Sequence, residues 1–154
     1  MKIEKTETLT HIQKEIIMRL WNAEYPKQLA FGGINDLDGF LNSLTNQLHF
    51  LLLDENEKIK GWLVSFTRES ERWFSIIIDT GEKGKGYGTT LLNEVKNFES
   101  DINGWVVDHN DYLKINGEKY WSPIEFYKKN GFSVLNDQRH EREDFSAVKI
   151  NWSM

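Results

Sequence analysis

Apolar residues recur at helical spacing in four segments of the chain. The first segment runs from about Thr10 to Glu24, and Thr10 and Gln13 at its start form a capping box. Its predicted apolar face consists of Ile12, Ile16, Ile17, Leu20 and Trp21. A shorter helix is predicted to begin near Asp36, with Leu37, Phe40, Leu41 and Leu44 on its apolar face. A third helix ends at about Glu99.

The fourth predicted helix, from Ser122 to Asn130, carries signals at both ends. Ser122 is a suitable N-cap, Pro123 suits the first helical position, and Glu125 completes a second capping box. Gly131 follows where a left-handed C-terminal residue is favoured.

Apolar runs and alternating patterns predict seven strands. They are residues 2–7, His49–Leu53, Gly61–Phe66, Trp73–Ile78, Trp105–Val107, Phe132–Leu135 and Ala147–Trp152. The polar turn Asp54–Glu57 predicts a hairpin between the second and third strands. Strands grouped together and mixed with single helical crossovers indicate an α+β structure with a mixed sheet.

Composition limits the class of protein. The chain has 154 residues, enough for one domain, which we expect to span residues 1–154. Aromatic residues make up 13% and include six Trp, so a disordered chain is excluded. The net charge of −5 argues against general nucleic-acid binding. The chain has no Cys, no metal-site spacing and no long apolar window, so we expect a cytoplasmic protein with neither metal nor membrane contact.

A glycine-rich turn between the Trp73–Ile78 strand and the third helix is the strongest chemical signal. It reads Gly-Glu-Lys-Gly-Lys-Gly-Tyr-Gly over residues 81–88. A turn of this kind before a helix lets backbone amides approach an anion, and the helix dipole favours negative charge there. The dinucleotide fingerprint fails because Thr89 or Leu91 stands where its third glycine belongs. The nucleoside-triphosphate loop fails because Tyr87, not Lys, follows Gly86.

The segment Lys83–Gly88 resembles the [RQ]-x-x-G-x-[GA] motif of the GNAT acyltransferase superfamily, with Lys83 in place of the usual Arg or Gln. Lysine keeps the charge but loses the planar fork of donors. A second block, Phe126-Tyr127 followed by Gly131-Phe132, resembles the end of the family's last helix. The resemblance implies a GNAT fold, with a mixed sheet of six to seven strands flanked by about four helices.

The same resemblance implies an N-acetyltransferase that moves an acetyl group from acetyl-CoA directly to an amine. Its cofactor residues would come from the turn, whose amides hold the pyrophosphate, and from the strand before it, which pairs with the pantetheine arm. These residues are Ile76, Ile77, Ile78, Lys83, Gly84, Lys85, Gly86, Tyr87, Gly88 and Thr89. An amide of Ile77 or Ile78 is the expected oxyanion donor.

Three residues are candidates for the catalytic proton transfers. Tyr127 matches the tyrosine that protonates the departing thiolate in many relatives. His109, at a strand end, is a competent base by its unperturbed pKa, and Asp79 is a second candidate. Asp108 is a rival for the base, Glu71 is interpreted as a solvated hairpin residue, and several relatives use an ordered water chain instead.

The segment between Asp108 and Trp121 is longer than the corresponding connection in the family, with a tight turn predicted at Asn116-Gly117. Asn110 is only a weak match for the asparagine that often contacts pantetheine. The inserted segment, with Tyr112, Tyr120 and Trp121, and the loop Tyr25–Gly33 are expected to wall the acceptor pocket. The acceptor, a small-molecule or protein amine, is not identified by sequence. An acyl-CoA sensor without turnover and a homodimer in which Trp152 takes part remain alternatives.

Overall fold

The structure is a computed structural model that describes residues 1–154. Seven strands form one sheet in the order β1-β2-β3-β4-β5-β7-β6, in which only the β4–β5 pair is parallel. The strands are β1 (Lys2–Thr6), β2 (Thr45–Leu53), β3 (Ile59–Arg68), β4 (Glu71–Ile78), β5 (Asp101–Val106), β6 (Ser133–Arg142) and β7 (Phe145–Ser153). The helices are α1 (His11–Glu24), α2 (Ile34–Asn42), α3 (Tyr87–Val95) and α4 (Ile124–Lys129). The predicted α+β class with a mixed sheet is confirmed.

Helices cover both faces of the sheet. On one face α1 and α2 pack on the strands through a core that includes Ile17, Trp21, Leu37, Leu41, Trp62 and Ile77. On the other face α3 and α4 build a second core that includes Phe50, Phe74, Leu91, Leu92, Tyr127 and Ile150. Burial of these apolar side chains is the main source of stability. None of the helices is long and apolar enough to cross a membrane.

The sheet opens between β4 and β5. The two strands are paired at a single position, Trp73 with Asn103, where the Asn103 side-chain amide (Nδ2) also donates to the Arg72 carbonyl oxygen at 3.1 Å. The next β5 residue is Gly104, and a Cβ there would stand 2.8 Å from the ring of Phe74. The Phe74 ring therefore occupies the space beside β5 that a side chain would need. Beyond this point β4 and β5 are not paired with each other.

Most predicted elements are confirmed, and the differences have local causes. The Thr10–Gln13 capping box forms, but Ile12 is 70% exposed because it follows directly on the cap, away from the buried stripe. Helix α3 ends at Val95 rather than near Glu99. Strand β6 continues to Arg142, well past the predicted end at Leu135, because its second half is a polar edge strand without apolar alternation.

The start of α4 differs from its predicted capping box. The helix begins at Ile124, and Glu125 contacts Lys128 instead of the helix start. The Ser122 hydroxyl accepts from the Ile124 amide at 3.3 Å and donates to the Val107 carbonyl oxygen at 2.5 Å. Ser122 therefore ties the helix start to the end of β5. At the other end, Gly131 has the expected left-handed backbone, with φ of 87°.

Candidate active site

The glycine-rich turn presents a row of unpaired backbone donors. Asp79 begins the turn and its side chain accepts from the Gly81 amide at 3.1 Å. Gly84 and Gly86 are both left-handed, with φ of 78° and 85°, and Gly86 is the N-cap of α3. The amides of residues 84–89 donate no hydrogen bond within the protein, whereas the Thr90 amide already donates to Gly86. Six consecutive free amides at a helix N-terminus are suited to hold a phosphate group.

These amides border a cavity of about 570 Å³, which we call the turn-side cavity. Strand β4, the glycine turn, the inserted segment and α4 supply its lining. Nine of the ten predicted cofactor residues line it. The exception is Lys85, which forms an ion pair with Glu82 at 3.0 Å. The sequence thus identified residues that the fold brings together in one place.

The free edge of β4 forms the floor of this cavity. The Asp79 backbone amide donates to the carbonyl oxygen of Lys60 in β3 at 2.9 Å. This bond shows which β4 backbone amides are directed toward β3. The direction of the backbone groups alternates along an antiparallel ladder. The N–H and C=O of Ile77 are therefore also directed toward β3, while those of Ile76 and Ile78 are directed into the gap. The Tyr25 hydroxyl donates to the Ile76 carbonyl oxygen at 2.5 Å, as this orientation requires.

Tyr127 on α4 lies at the end of the turn-side cavity nearest the β4–β5 gap. The residue is 7% exposed, and its hydroxyl takes part in none of the hydrogen bonds within the protein. Burial, together with the nearby Tyr25 and Tyr120, raises the pKa of Tyr127 well above its ordinary value. The hydroxyl therefore stays protonated at neutral pH and is free to donate to a ligand.

Residues 46–134, more than half of the chain, match the sequence profile of the acetyltransferase (GNAT) domain. The chain belongs to the GNAT acetyltransferase family. The family assignment and the GNAT fold predicted from sequence are confirmed, and so is the predicted enzyme class, a GNAT-type acyltransferase. No curated protein matches the sequence significantly.

Solved GNAT structures share the whole fold at low sequence identity. An aminoglycoside 6'-N-acetyltransferase complexed with coenzyme A superposes with a TM-score of 0.75 and 12% identity over 99% of this chain and 97% of its own. A phosphinothricin acetyltransferase from Sinorhizobium meliloti in complex with AcCoA has a TM-score of 0.70 and 12% identity, over 100% and 89%. A spermidine/spermine N-acetyltransferase from Vibrio cholerae has a TM-score of 0.66 and 18% identity, over 98% and 92%.

Glu24, at the end of α1, is a cavity residue that sequence reasoning missed. Its side chain is 7% exposed and lies 2.9 Å from the Lys83 Nζ and 3.5 Å from the Lys114 Nζ, and it accepts from the amide and hydroxyl of Thr80. Burial alone would raise the pKa of Glu24, but the hydrogen bonds from Thr80 and Lys83 and the two lysine charges leave it below its ordinary value. The sequence does carry a signal for the burial of Glu24, because Glu24 lies at helical spacing from Ile17 and Trp21 on the buried face of α1.

The other predicted proton-transfer residues lie outside the turn-side cavity. Asp79 is engaged in the turn, with Lys60 at 3.9 Å. The His109 Nδ1 accepts from the Asp111 amide at 3.2 Å, and the His109 ring packs edge-on against Tyr112. Of the rival bases, Asp108 is held by two hydrogen bonds from Arg139, which lower its pKa. Glu71 pairs with Lys149 at 3.2 Å. No group of three or more carboxylate or imidazole side chains is arranged to hold a metal ion.

The inserted segment folds as a small hairpin beside the cavity. Leu113 and Lys119 form a β-bridge, and Gly117 makes the predicted tight turn with φ of 88°. Tyr120 lines the turn-side cavity together with Trp121, whereas Tyr112 packs on Phe145 away from it. Asn110 accepts from the Ser122 amide at 2.8 Å, so it supports the start of α4.

A second, smaller cavity of about 230 Å³ lies on the other side of the β4–β5 gap, and we call it the aromatic cavity. It shares Tyr25, Ile76, Tyr120, Pro123 and Tyr127 with the turn-side cavity, so the two meet at the gap. The loop predicted to wall the acceptor contributes Tyr25, Pro26 and Leu29. Both cavities therefore border Tyr127.

Proposed function

We propose that this GNAT protein transfers the acetyl group of acetyl-CoA directly to an amine within a ternary complex. The observation that carries the proposal is the continuity of one cavity, in which the free amides of residues 84–89, the outward edge of β4 and the Tyr127 hydroxyl follow one another. A pyrophosphate, an amide-containing arm and a thioester require donors of these kinds in this order.

In this proposal the turn binds the pyrophosphate of acetyl-CoA through its amides, with Lys83 supplying charge. The pantetheine arm pairs with the outward backbone groups of Ile76 and Ile78 as an additional strand would. One of these two outward amides is assigned as the oxyanion donor, and the other donates to the arm. Ile77, a candidate from sequence, is unsuited because its amide is directed toward β3.

Tyr127 is the proposed general acid. The amine nitrogen attacks the thioester carbonyl carbon, a C–N bond forms, and the C–S bond breaks as the tetrahedral intermediate collapses. The Tyr127 hydroxyl gives its proton to the departing sulfur and is reprotonated by the proton that the amine releases. Its raised pKa keeps the hydroxyl protonated at every pH at which the amine can react, but it also makes the hydroxyl a weaker acid than an ordinary tyrosine.

Ligand-dependent thermal unfolding tests the cofactor, and release of free CoA thiol with an amine panel tests turnover. A ligand at about 100 times its Kd adds roughly 2.7 kcal/mol of stability, which should raise the midpoint by several degrees. We expect this rise with acetyl-CoA and CoA and not with ATP or NAD. A rise without CoA release for any amine would instead favour an acyl-CoA sensor.

A further inference from the structure

The aromatic cavity has a composition that restricts its ligand. Fourteen of its 20 lining residues are hydrophobic. Its volume of about 230 Å³ lies below the range of about 300–1,000 Å³ that is usual for drug-sized ligands. It meets the turn-side cavity at Tyr127, so it is the space available to the acceptor if the proposed function is correct.

One wall of this cavity is a row of flat rings. The ring centroids of Trp73 and Trp105 are 5.1 Å apart with their planes at 30°, and those of Trp105 and His140 are 5.5 Å apart at 35°. Beyond His140 lies the Phe145 ring, 6.3 Å away and edge-on to it with the planes at 61°. Because these rings lie over one another and the Lys149 Nζ lies over the Trp73 ring at 5.2 Å, the wall presents mainly ring edges to the cavity. An aromatic ring packs favourably edge-to-face against such edges.

The charges lining the cavity disfavour a polycation. None of the lining residues is a carboxylate, and Arg68 is the one lining side chain that carries a permanent charge. The Arg68 guanidinium lies over the Phe66 ring at 5.0 Å and forms no ion pair. A second ammonium group at the far end of an acceptor would therefore meet a like charge without a carboxylate to balance it.

The groove outside the cavity is electrically balanced. Asp36 and Glu69 line it together with Arg68 and Arg142. It therefore supplies no excess of negative charge that would draw a dication toward the mouth. Selectivity among amine acceptors then depends on the aromatic rings of the cavity and on Arg68.

We infer that the acceptor is a primary monoamine that carries a flat aromatic ring. The ring packs edge-to-face against Trp105 in that wall, and the amine reaches the gap beside Tyr127. The inference rests on the proposed function. In the transfer, the amine nitrogen gains the acetyl group, the sulfur of CoA leaves, and one N–H proton ends on that sulfur.

The test compares phenethylamine and tryptamine with spermidine and glutamate as acceptors, by CoA release and product mass. We expect kcat/KM to be at least about tenfold higher for the two aromatic amines than for spermidine or glutamate. Isothermal titration of phenethylamine into the protein–CoA complex measures acceptor binding independently of turnover.

Two variants locate the effect in the aromatic cavity. Trp105→Ala should raise the KM for phenethylamine about tenfold, and Trp105→Phe should restore most of the loss because it keeps a ring. Arg68→Glu should raise kcat/KM for spermidine about tenfold and change that for phenethylamine little. Arg19→Glu, a charge reversal at an exposed arginine of α1 that lines none of these cavities, should change neither.

The outcomes separate the inference from the proposed function. Faster acetylation of spermidine or glutamate overturns the inference and leaves the acetyltransferase proposal standing. If acetyl-CoA raises the unfolding midpoint but no amine is acetylated, the proposed function fails, and the titration decides the inference. Phenethylamine binding that Trp105→Ala weakens then supports the aromatic site, and no binding overturns it.

Discussion

Glu24 and Lys83 form an ion pair of 2.9 Å at the mouth of the glycine turn. Lys83 stands where the family motif usually has Arg or Gln, and Glu24 comes from the end of α1. The same carboxylate also lies 3.5 Å from Lys114 on the inserted hairpin. One buried carboxylate thus joins α1, the turn and the insertion, and it balances positive charge at a site proposed to bind phosphate.

Replacing Glu24 should change stability and cofactor affinity in opposite directions. Glu24→Gln removes charge-assisted hydrogen bonds and should lower the free energy of unfolding by about 1–3 kcal/mol. The same change leaves Lys83 and Lys114 unbalanced, so acetyl-CoA should bind several-fold more tightly, and less so at high salt. Urea unfolding and titration calorimetry measure the two effects. Glu15→Gln, on the exposed side of α1, is the matched control. Weaker acetyl-CoA binding in Glu24→Gln would instead mean that Glu24 holds Lys83 in its binding position.

The two lysines of the turn should differ in importance. Lys83 lines the turn-side cavity, whereas Lys85 does not line it and forms an ion pair with Glu82. Loss of a charge-assisted hydrogen bond is worth about 1.5–3 kcal/mol, so Lys83→Met should raise the Kd for acetyl-CoA about tenfold or more. Lys85→Met should raise it less than about threefold. Equal effects of the two variants would contradict the assignment of Lys83 to the pyrophosphate.

Gly86 should be irreplaceable because of both its backbone and its position. A side chain at φ of 85° costs about 1–2 kcal/mol, and an aspartate there adds negative charge beside the proposed phosphate site. Gly86→Asp should therefore abolish the acetyl-CoA-dependent rise in the unfolding midpoint. Gly33→Asp is a matched change at the N-cap of α2, where the backbone is extended, and it should leave that rise intact. A preserved rise in Gly86→Asp would rule out the turn as the anion site.

Tyr127→Phe should lower kcat roughly 100-fold with little effect on the Kd for acetyl-CoA, because general acid catalysis typically contributes 10²–10⁴-fold. Tyr112→Phe is the control, because it removes a hydroxyl from a tyrosine that lines neither cavity. Thermal unfolding verifies that both variants fold.

Since His109 and Asp79 lie outside the turn-side cavity, His109→Gln and Asp79→Asn should each lower kcat less than about threefold. Unchanged kcat in Tyr127→Phe would exclude it as the acid.

Local signals explain which features the sequence could predict. The glycine turn and the left-handed Gly131 are specified by residues adjacent in the chain, and the capping box of α1 by residues three apart. Glu24 acquires its role only when the turn folds against the end of α1. The lining of the aromatic cavity comes from separate segments between Trp21 and Phe145, so no single segment of the sequence predicts it. The polar half of β6 is held by pairing with β7, which periodicity cannot reveal.

Stability should fall as the pH decreases below about 6.5, and His49 gives the reason. His49 is fully buried between Trp62, whose indole donates to its Nδ1 at 3.0 Å, and Gln47, whose Oε1 lies 2.8 Å from its Nε2. Burial, with a smaller contribution from the charge of Lys14, lowers the pKa of His49 from 6.5 to about 4. Between these values the unfolded chain binds a proton that the folded chain does not, so acid favours unfolding. At about 1.4 kcal/mol per pKa unit, the loss of unfolding free energy approaches about 3 kcal/mol between pH 7 and pH 4.

Urea unfolding at pH 7 and pH 5 measures this dependence of stability on pH. The native protein and His11→Gln, which removes the exposed His11, should lose the same free energy of unfolding between the two pH values, and His49→Gln should lose less. An equal loss in His49→Gln would assign the acid sensitivity to other groups.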